Sequence, residues 1–342
     1  MLKELDIQIT NKCHLYCKHC CCSSNSDQDL GVPIEKWRKV ICDAHRLGVQ
    51  RIDITGGEPY LRKDMPELLE LIQALGIKYE IQSTWITNKN IKDSKNRISA
   101  ISMDGMRYWH DYYRGLGNFS LAESKLRDLA QLSQSETRVT TVVTNKNKDD
   151  LYSLLKLTGS YSVDHHAFFC FSPIGRGKEI SSHWSSPYEH IETGEQLSKF
   201  ITTTNSKLPK KISFQVGYSD PIGKWRDEIG CRAMGKDFLF VLADGRTLPC
   251  SWYIDTDVTL GNVFEVGLTR VYNNYLAHIK SMERRSHMSC NACHLFELCK
   301  GGCDAARILF NSAVDPRCLD PNLYFPGCPE TKVTFHNTRK GD

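Results

Sequence analysis

Two hydrophobic periods alternate along the first half of this chain, and that alternation narrows the fold more than any other feature. ELDIQIT (4–10) switches between apolar and polar residues every second position, as a strand does. PIEKWRKVICDAHRLG (33–48) follows the helical period, with Pro33 near its start and Gly48 at its end. The pattern continues with the strand RIDIT (51–55) and the helix MPELLELIQALG (65–76). IKYEIQSTWIT (77–87), RISAISM (97–103), ETRVTTVV (136–143) and HHAFFCFS (165–172) are four more strands. LAESKLRDLAQL (121–132) and DDLYSLLKL (149–157) are helices between the later ones. Such alternation predicts an α/β fold with a parallel sheet and helical crossovers. Six units make an open or partial (β/α)6 barrel, whose ligands bind at the C-terminal ends of the strands.

Onto this scaffold the chain places 15 cysteines in 342 residues, in two groups. CHLYCKHCCC (13–22) carries Cys13, Cys17, Cys20, Cys21 and Cys22; Cys231, Cys250, Cys290, Cys293, Cys299, Cys303, Cys318 and Cys328 lie in the last third. Between them, Cys42 sits in a helical pattern and Cys170 in an apolar strand, where both read as buried small hydrophobes. MLKELDIQIT has neither the basic stretch nor the apolar core of an export signal, and no apolar run is long enough to cross a bilayer. The expected compartment is therefore the reducing cytoplasm, where clustered cysteines signal metal or redox chemistry more often than disulfides. A net charge of +4, from 44 basic and 40 acidic residues, is too balanced to argue for nucleic acid.

Cys13, Cys17 and Cys20 follow the first strand with the spacing C-x3-C-x2-C. Three thiolates so placed can hold three corners of a four-iron cluster and leave the fourth iron open to a substrate. A zinc site remains the alternative, with His14 or His19 as a fourth ligand. GGEP (56–59) ends the second strand on the same rim, where paired glycines let a ligand approach the backbone and Glu58 orders the loop.

Together these motifs resemble the paired signature of the radical S-adenosylmethionine (SAM) enzymes. The resemblance implies that Cys13, Cys17 and Cys20 bind the cluster and that Gly56, Gly57, Glu58 and Pro59 help hold the cosubstrate. His19 fills a position that is often aromatic in that family, and Cys21 and Cys22 read as small loop residues. AISMDGMRYWHDYYRGLGNF (100–119) resembles the fourth-strand segment of one branch, making Ser102, Asp104 and Arg114 further cosubstrate contacts; a surface ion pair is the other reading of Arg114. FSPIGRG (171–177) resembles that branch's sixth-strand ending.

The C-terminal cysteines resemble the SPASM extension, which carries auxiliary 4Fe–4S clusters. That likeness assigns Cys231, Cys250 and Cys303 to a first auxiliary cluster, and Cys290, Cys293, Cys299 and Cys318 to a second. The fourth position of the first belongs to Asp237, to Cys328, or to an iron open to substrate. KDFLFVLADGRTLPCSWY (236–253) reads as a hairpin around ADG, and TRVYNNYLAHIK (269–280) as a helix. The expected domains are a barrel over 1–180, a connector over 181–230 with a helix near EHIETGEQLSKFI (189–201), and a cysteine-rich SPASM domain over 231–342.

The same resemblance implies reductive cleavage of SAM to a 5′-deoxyadenosyl radical that takes hydrogen from a substrate. Relatives with this pattern mostly install thioether or carbon–carbon crosslinks, or oxidise side chains, in ribosomally made peptides. The alternative is a small-molecule dehydrogenase or decarboxylase acting on an aminocyclitol, a sugar or a haem precursor. Sulfatase maturation fits poorly, because Ser251 follows Cys250 where those relatives place an aspartate base. A redox or structural metal protein without catalysis would cleave no SAM. The implied partners are a peptide or small-molecule substrate and an electron donor such as a flavodoxin or ferredoxin; no nucleic acid or membrane is expected. The chain opens on its first strand, which weighs against the peptide reading unless a separate leader-peptide-binding protein serves or the substrate needs no leader. Tyr16, Trp85, His110 and Tyr253 lie near strand or loop ends on the cluster side, where ordinary aromatic packing is the simpler reading.

Overall fold

The computed structural model describes residues 1–27, 31–84, 97–130, 136–185, 187–205, 213–217, 232–282, 302–312 and 315–316. The strands are β1 (Glu4–Gln8), β2 (Arg51–Thr55), β3 (Lys78–Gln82), β4 (Arg97–Ser102), β5 (Glu136–Val143), β6 (His165–Cys170), β7 (Ser213–Gly217), β8 (Phe238–Val241) and β9 (Thr247–Leu248). The helices are α1 (Ile34–Arg46), α2 (Met65–Ala74), α3 (Arg107–Arg114), α4 (Asn118–Ala130), α5 (Leu151–Ser160), α6 (Pro187–Asn205), α7 (Val263–Val266), α8 (Leu268–Met282) and α9 (Asp304–Leu309). All nine of these strands lie in one sheet, in the order β7-β6-β5-β4-β3-β2-β1-β8-β9. Pairing is parallel except between β8 and β9.

The six expected barrel strands are all present. Beyond them β7 adds to β6 with Ser213 opposite His165, a strand inside the stretch read as a connector. The ADG hairpin also forms, but its first strand pairs with β1 over Glu4↔Phe238 to Ile7↔Val241. The C-terminal region thus begins inside the barrel sheet. Among the described residues no helix is long and apolar enough to cross a membrane.

Side-chain alternation divides the sheet into a helix-covered face and an inner face. Leu5 and Ile7 of β1, Ile52 and Ile54 of β2, and Tyr79 and Ile81 of β3 pack with Trp37, Val40, Ile41 and Ala44 of α1. The α1 residues recur at the helical period, and Gly48 (φ +81°) ends that helix in the left-handed region. Leu239 and Val241 join this core together with Val271, Tyr275 and Ile279 of α8. Each fully buried aliphatic contributes about 1.5–3 kcal/mol.

The inner face is polar. Register aligns Asp6, Asp53 and Glu80 across β1, β2 and β3. Arg51 bridges Asp53 (2.6 Å) and Glu80 (2.5 Å), and Arg138 reaches Glu80 at 3.2 Å. Two guanidiniums face three carboxylates, and one oxygen of Asp6 is shut from solvent without a hydrogen-bond partner. Burial, and then Asp53, push the Asp6 pKa well above the carboxylate range. A raised folded-state pKa gives stability that is lost as pH rises through it. Asp6→Asn, which does not titrate, should therefore unfold at higher urea than the parent at about pH 8, with the gain shrinking toward about pH 5, at no more than about 1.4 kcal/mol per pH unit. A pH-independent difference would contradict the assignment.

Candidate functional site

Residues 9–27 leave β1 at its C-terminal end with almost no regular structure, so their shape depends on what grips them. The second βα loop grips first. Gly57 N–H donates to Thr10 O (2.8 Å) and Glu58 N–H to Lys12 O (2.8 Å). A Cβ on Gly57 would overlap the Lys12 carbonyl, and one on Gly56 would sit 3.0 Å from Thr10 O. The paired glycines thus let the cysteine loop, rather than only a ligand, approach the backbone. Glu58 is buried, and its carboxylate accepts from Ser83 Oγ (2.7 Å), Thr84 N (2.9 Å), Thr84 Oγ1 (3.0 Å) and Tyr60 N (3.2 Å). It orders the rim by tying this loop to the end of β3. Pro59, also buried, starts the 3-10 turn Pro59–Leu61 that carries the chain away.

The second grip follows β6. Arg176, 5% exposed, donates from Nε to Cys17 O (2.7 Å), from Nη2 to Ser24 O (2.8 Å) and from Nη1 to Ser23 O (3.4 Å). Its backbone N–H donates to Cys20 O (3.0 Å), and its guanidinium lies 3.6 Å from the centre of the Tyr16 ring. Gly175 adopts φ +56° against the Cys21 carbonyl, where a Cβ would collide. One fork-shaped cation thereby satisfies three carbonyls of a loop without strand partners. The sequence reading noticed GRG but not this arginine; flanking glycines around a lone cation were the available signal.

The third grip is a buried polar node. Asp104 Oδ2 lies 2.5 Å from Arg114 Nε and 3.0 Å from His19 Nε2, while Oδ1 accepts from Val142 N (2.8 Å). Burial alone would raise the Asp104 pKa; Arg114 and His19 outweigh it and hold the carboxyl well below its usual range. Burial pushes His110 down to about 4, so it is neutral, and its Nδ1 accepts from Asp104 N (3.1 Å). Arg114 is accordingly a buried ion pair rather than a surface one. His19 stands edge-on to Tyr113, with ring centres 5.4 Å apart. Ser102 lies at the end of β4, and Thr140 Oγ1 donates to its Oγ at 3.4 Å.

These grips present Cys13, Cys17 and Cys20 from one loop. Burial pushes the Cys13 thiol up and the Cys17 thiol up to about 12, and the three sulfurs repel one another as thiolates. Bare thiols here stay protonated at neutral pH, whereas bound iron is the positive partner that favours thiolates. The zinc alternative finds little support. His19 Nε2 is directed at Asp104, and His14 Nε2 lies 3.4 Å from Thr84 Oγ1. The loop fits a cluster whose irons each take one thiolate. A cluster held there would supply single electrons to a molecule bound at its open iron.

Of the aromatic candidates, His110 and Tyr253 are buried, with Tyr253 donating to Asp304 Oδ2 (3.2 Å), while Tyr16 is exposed beneath Arg176. Trp85 lies outside the described residues, as do Cys231, Cys290, Cys293, Cys299, Cys318 and Cys328. Cys42 and Cys170 are half-buried rather than buried. Cys250 precedes the 3-10 turn Ser251–Tyr253, and Cys303 caps α9, its Sγ accepting from Ala306 N (3.4 Å).

Comparison with known proteins agrees with this geometry. The radical SAM superfamily profile matches residues 7–157, and the SPASM iron-sulfur cluster-binding domain matches residues 231–294. Mycofactocin maturase MftC of Mycolicibacterium smegmatis is 25% identical over 325 residues, covering 92% of this chain and 81% of that protein. The AdoMet-dependent heme synthase of Oleidesulfovibrio alaskensis is 26% identical over 339 residues, covering 91% and 85%. In fold, Streptococcus suis SuiB bound to precursor peptide SuiA superposes with a TM-score of 0.78 at 20% identity, over 93% of this chain and 75% of that one. The chain therefore carries a radical SAM domain over residues 7–157 and a SPASM iron–sulfur cluster-binding domain over residues 231–294, the domains of a radical SAM enzyme, which imply S-adenosylmethionine and iron–sulfur clusters.

Proposed function

We propose that this enzyme modifies a ribosomally synthesised peptide, using the 5′-deoxyadenosyl radical to take hydrogen from a residue that is then crosslinked or oxidised. The observation that carries this reading is the relation to mycofactocin maturase over 92% of the chain. The likeness in fold to SuiB with its bound precursor peptide supports it. A small-molecule reaction is the second reading, favoured by the heme synthase relative at 26% identity. The reading divides the chain into a core over 1–180, a connector over 181–230 and the auxiliary-cluster region over 231–342. A flavodoxin or ferredoxin supplies electrons.

In this reading Cys13, Cys17 and Cys20 hold the SAM-binding cluster, with Gly56, Gly57, Glu58 and Pro59 forming the facing wall of the cosubstrate site. Ser102 faces that site. Asp104 and Arg114 act on it through His19 and the loop, since the Asp104 oxygens are occupied by Arg114, His19 and Val142 N. Two auxiliary clusters follow, one on Cys231, Cys250 and Cys303, the other on Cys290, Cys293, Cys299 and Cys318.

Anaerobic reconstitution should give about twelve irons per chain; about four would remove the auxiliary assignment. Arg176→Lys keeps the charge but loses the fork. It should release iron from the first centre to a chelator at least about tenfold faster, consistent with loss of two hydrogen bonds worth about 1 kcal/mol each, while the auxiliary irons stay bound. Equal release from all centres would refute the clamp. Release of 5′-deoxyadenosine by the reduced enzyme should be stimulated by a large, protease-sensitive fraction of host extract. Stimulation by the small, protease-resistant fraction instead would establish the second reading.

A further inference from the structure

A thiol from the N-terminal loop packs against the same apolar cluster as two thiols of the C-terminal region. Cys250 and Cys303 both pack, half-buried, against an apolar wall that includes Phe238, Phe240, Leu248 and Tyr253, and Cys22 packs against the same wall. Alternation along β8 and β9 explains the grouping. Phe238 and Phe240 face this wall while Leu239 and Val241 face α1 and α8. Leu248 pairs with Phe240, and Cys250, two residues on, returns to the same face.

The same alternation separates Asp237 from the group. Asp237 directly precedes Phe238 and so shares the parity of Leu239. Its charge acts on Tyr272, a residue packed against the α1–α8 core whose hydroxyl donates to Lys236 O (2.9 Å).

Cys22 is also held in place. Ser23, the next residue, adopts φ +52°, donates its N–H to Cys20 O (3.2 Å) and accepts Arg176 Nη1 at its carbonyl. Asp255, five residues after Cys250, accepts from Gly175 N (2.6 Å), and Gly175 in turn lies against the Cys21 carbonyl. The Cys21 sulfur lies 3.7 Å from that of Cys22, but it is Cys22 that meets the wall.

We infer that Cys22 supplies a thiolate to the first auxiliary cluster, completing the position otherwise left to Asp237, Cys328 or an open iron. The inference rests on reading Cys250 and Cys303 as cluster ligands. On binding, the Cys22 thiol releases its proton to solvent and its sulfur fills one iron coordination position; no electron is transferred.

The test removes the first centre with Cys13→Ala, Cys17→Ala and Cys20→Ala, and records iron content and the electron paramagnetic resonance spectrum of the reduced protein. This parent should retain about eight irons. Adding Cys22→Ala or Cys22→Ser should shift the spectrum of one cluster and, after mild oxidation, release about one iron per chain. Adding Cys21→Ala should leave the spectrum as in the parent. If neither Cys22 variant moves the spectrum, or if Cys21→Ala moves it instead, the inference is overturned. A parent without iron would overturn the auxiliary-cluster reading itself, a result visible before any Cys22 variant is made. Cys22→Ser in the otherwise unchanged enzyme guards against misfolding: the first centre should still respond to added SAM there.

Discussion

The cysteine loop is an irregular segment whose carbonyls have no strand to pair with, and the buried guanidinium of Arg176 is what satisfies them. Cys17, Ser23 and Ser24 all direct backbone oxygens at this side chain. The loop would otherwise bear the conformational entropy of its residues without compensating bonds. Asp104 performs the complementary task from the fourth strand, gathering Arg114 and His19 about one carboxylate. Asp104 is fully buried and the Arg114 side chain is 12% exposed, so removing Arg114 strips the buried carboxylate of its guanidinium, a loss of up to about 3–5 kcal/mol. The shape of the loop is thus imposed from the ends of β2, β4 and β6 together with bonds inside the loop, such as Cys13 N–H to Asn25 O (2.8 Å).

That arrangement clarifies what the inner face of the barrel is for. Its outer face is an ordinary aliphatic core against α1, α2 and α8. Its inner face carries Asp6, Asp53, Glu80, Arg51 and Arg138, which balance one another beneath the rim. Charge is kept in the floor and in the grips, while burial raises the proton affinity of the Cys13 and Cys17 sulfurs.

Much of this was legible in the sequence because period and punctuation coincide. ELDIQIT, RIDIT and the helix between them carry their burial pattern openly, and Pro33 and Gly48 mark the ends of α1. The cysteine spacing and GGEP pointed to the right rim. What was hidden depends on contacts between distant segments. The reason Gly57 must be glycine is the carbonyl of Lys12, which no local pattern reveals. Arg176 reaches residues more than 150 positions away. Strand β7 is short and lies in a polar stretch, so only its pairing with β6 defines it. Asp104 and Arg114 stand out by motif, but their burial and mutual pairing depend on His19 and Val142, which lie far from them in the chain.

The pairing of β8 with β1 has a mechanical side. Hydrogen bonds run from Glu4↔Phe238 to Ile7↔Val241, and the cysteine loop begins directly after the far end of that ladder. A load applied to the C-terminal region is therefore received in shear along β1, within a few residues of the first cluster ligand. The two halves of the enzyme do not meet at a hinge; they share a beam. Cutting the chain before β8 would leave β1 as a bare sheet edge, open to pairing with other chains. In this chain the auxiliary region also serves as the seam that closes the catalytic core.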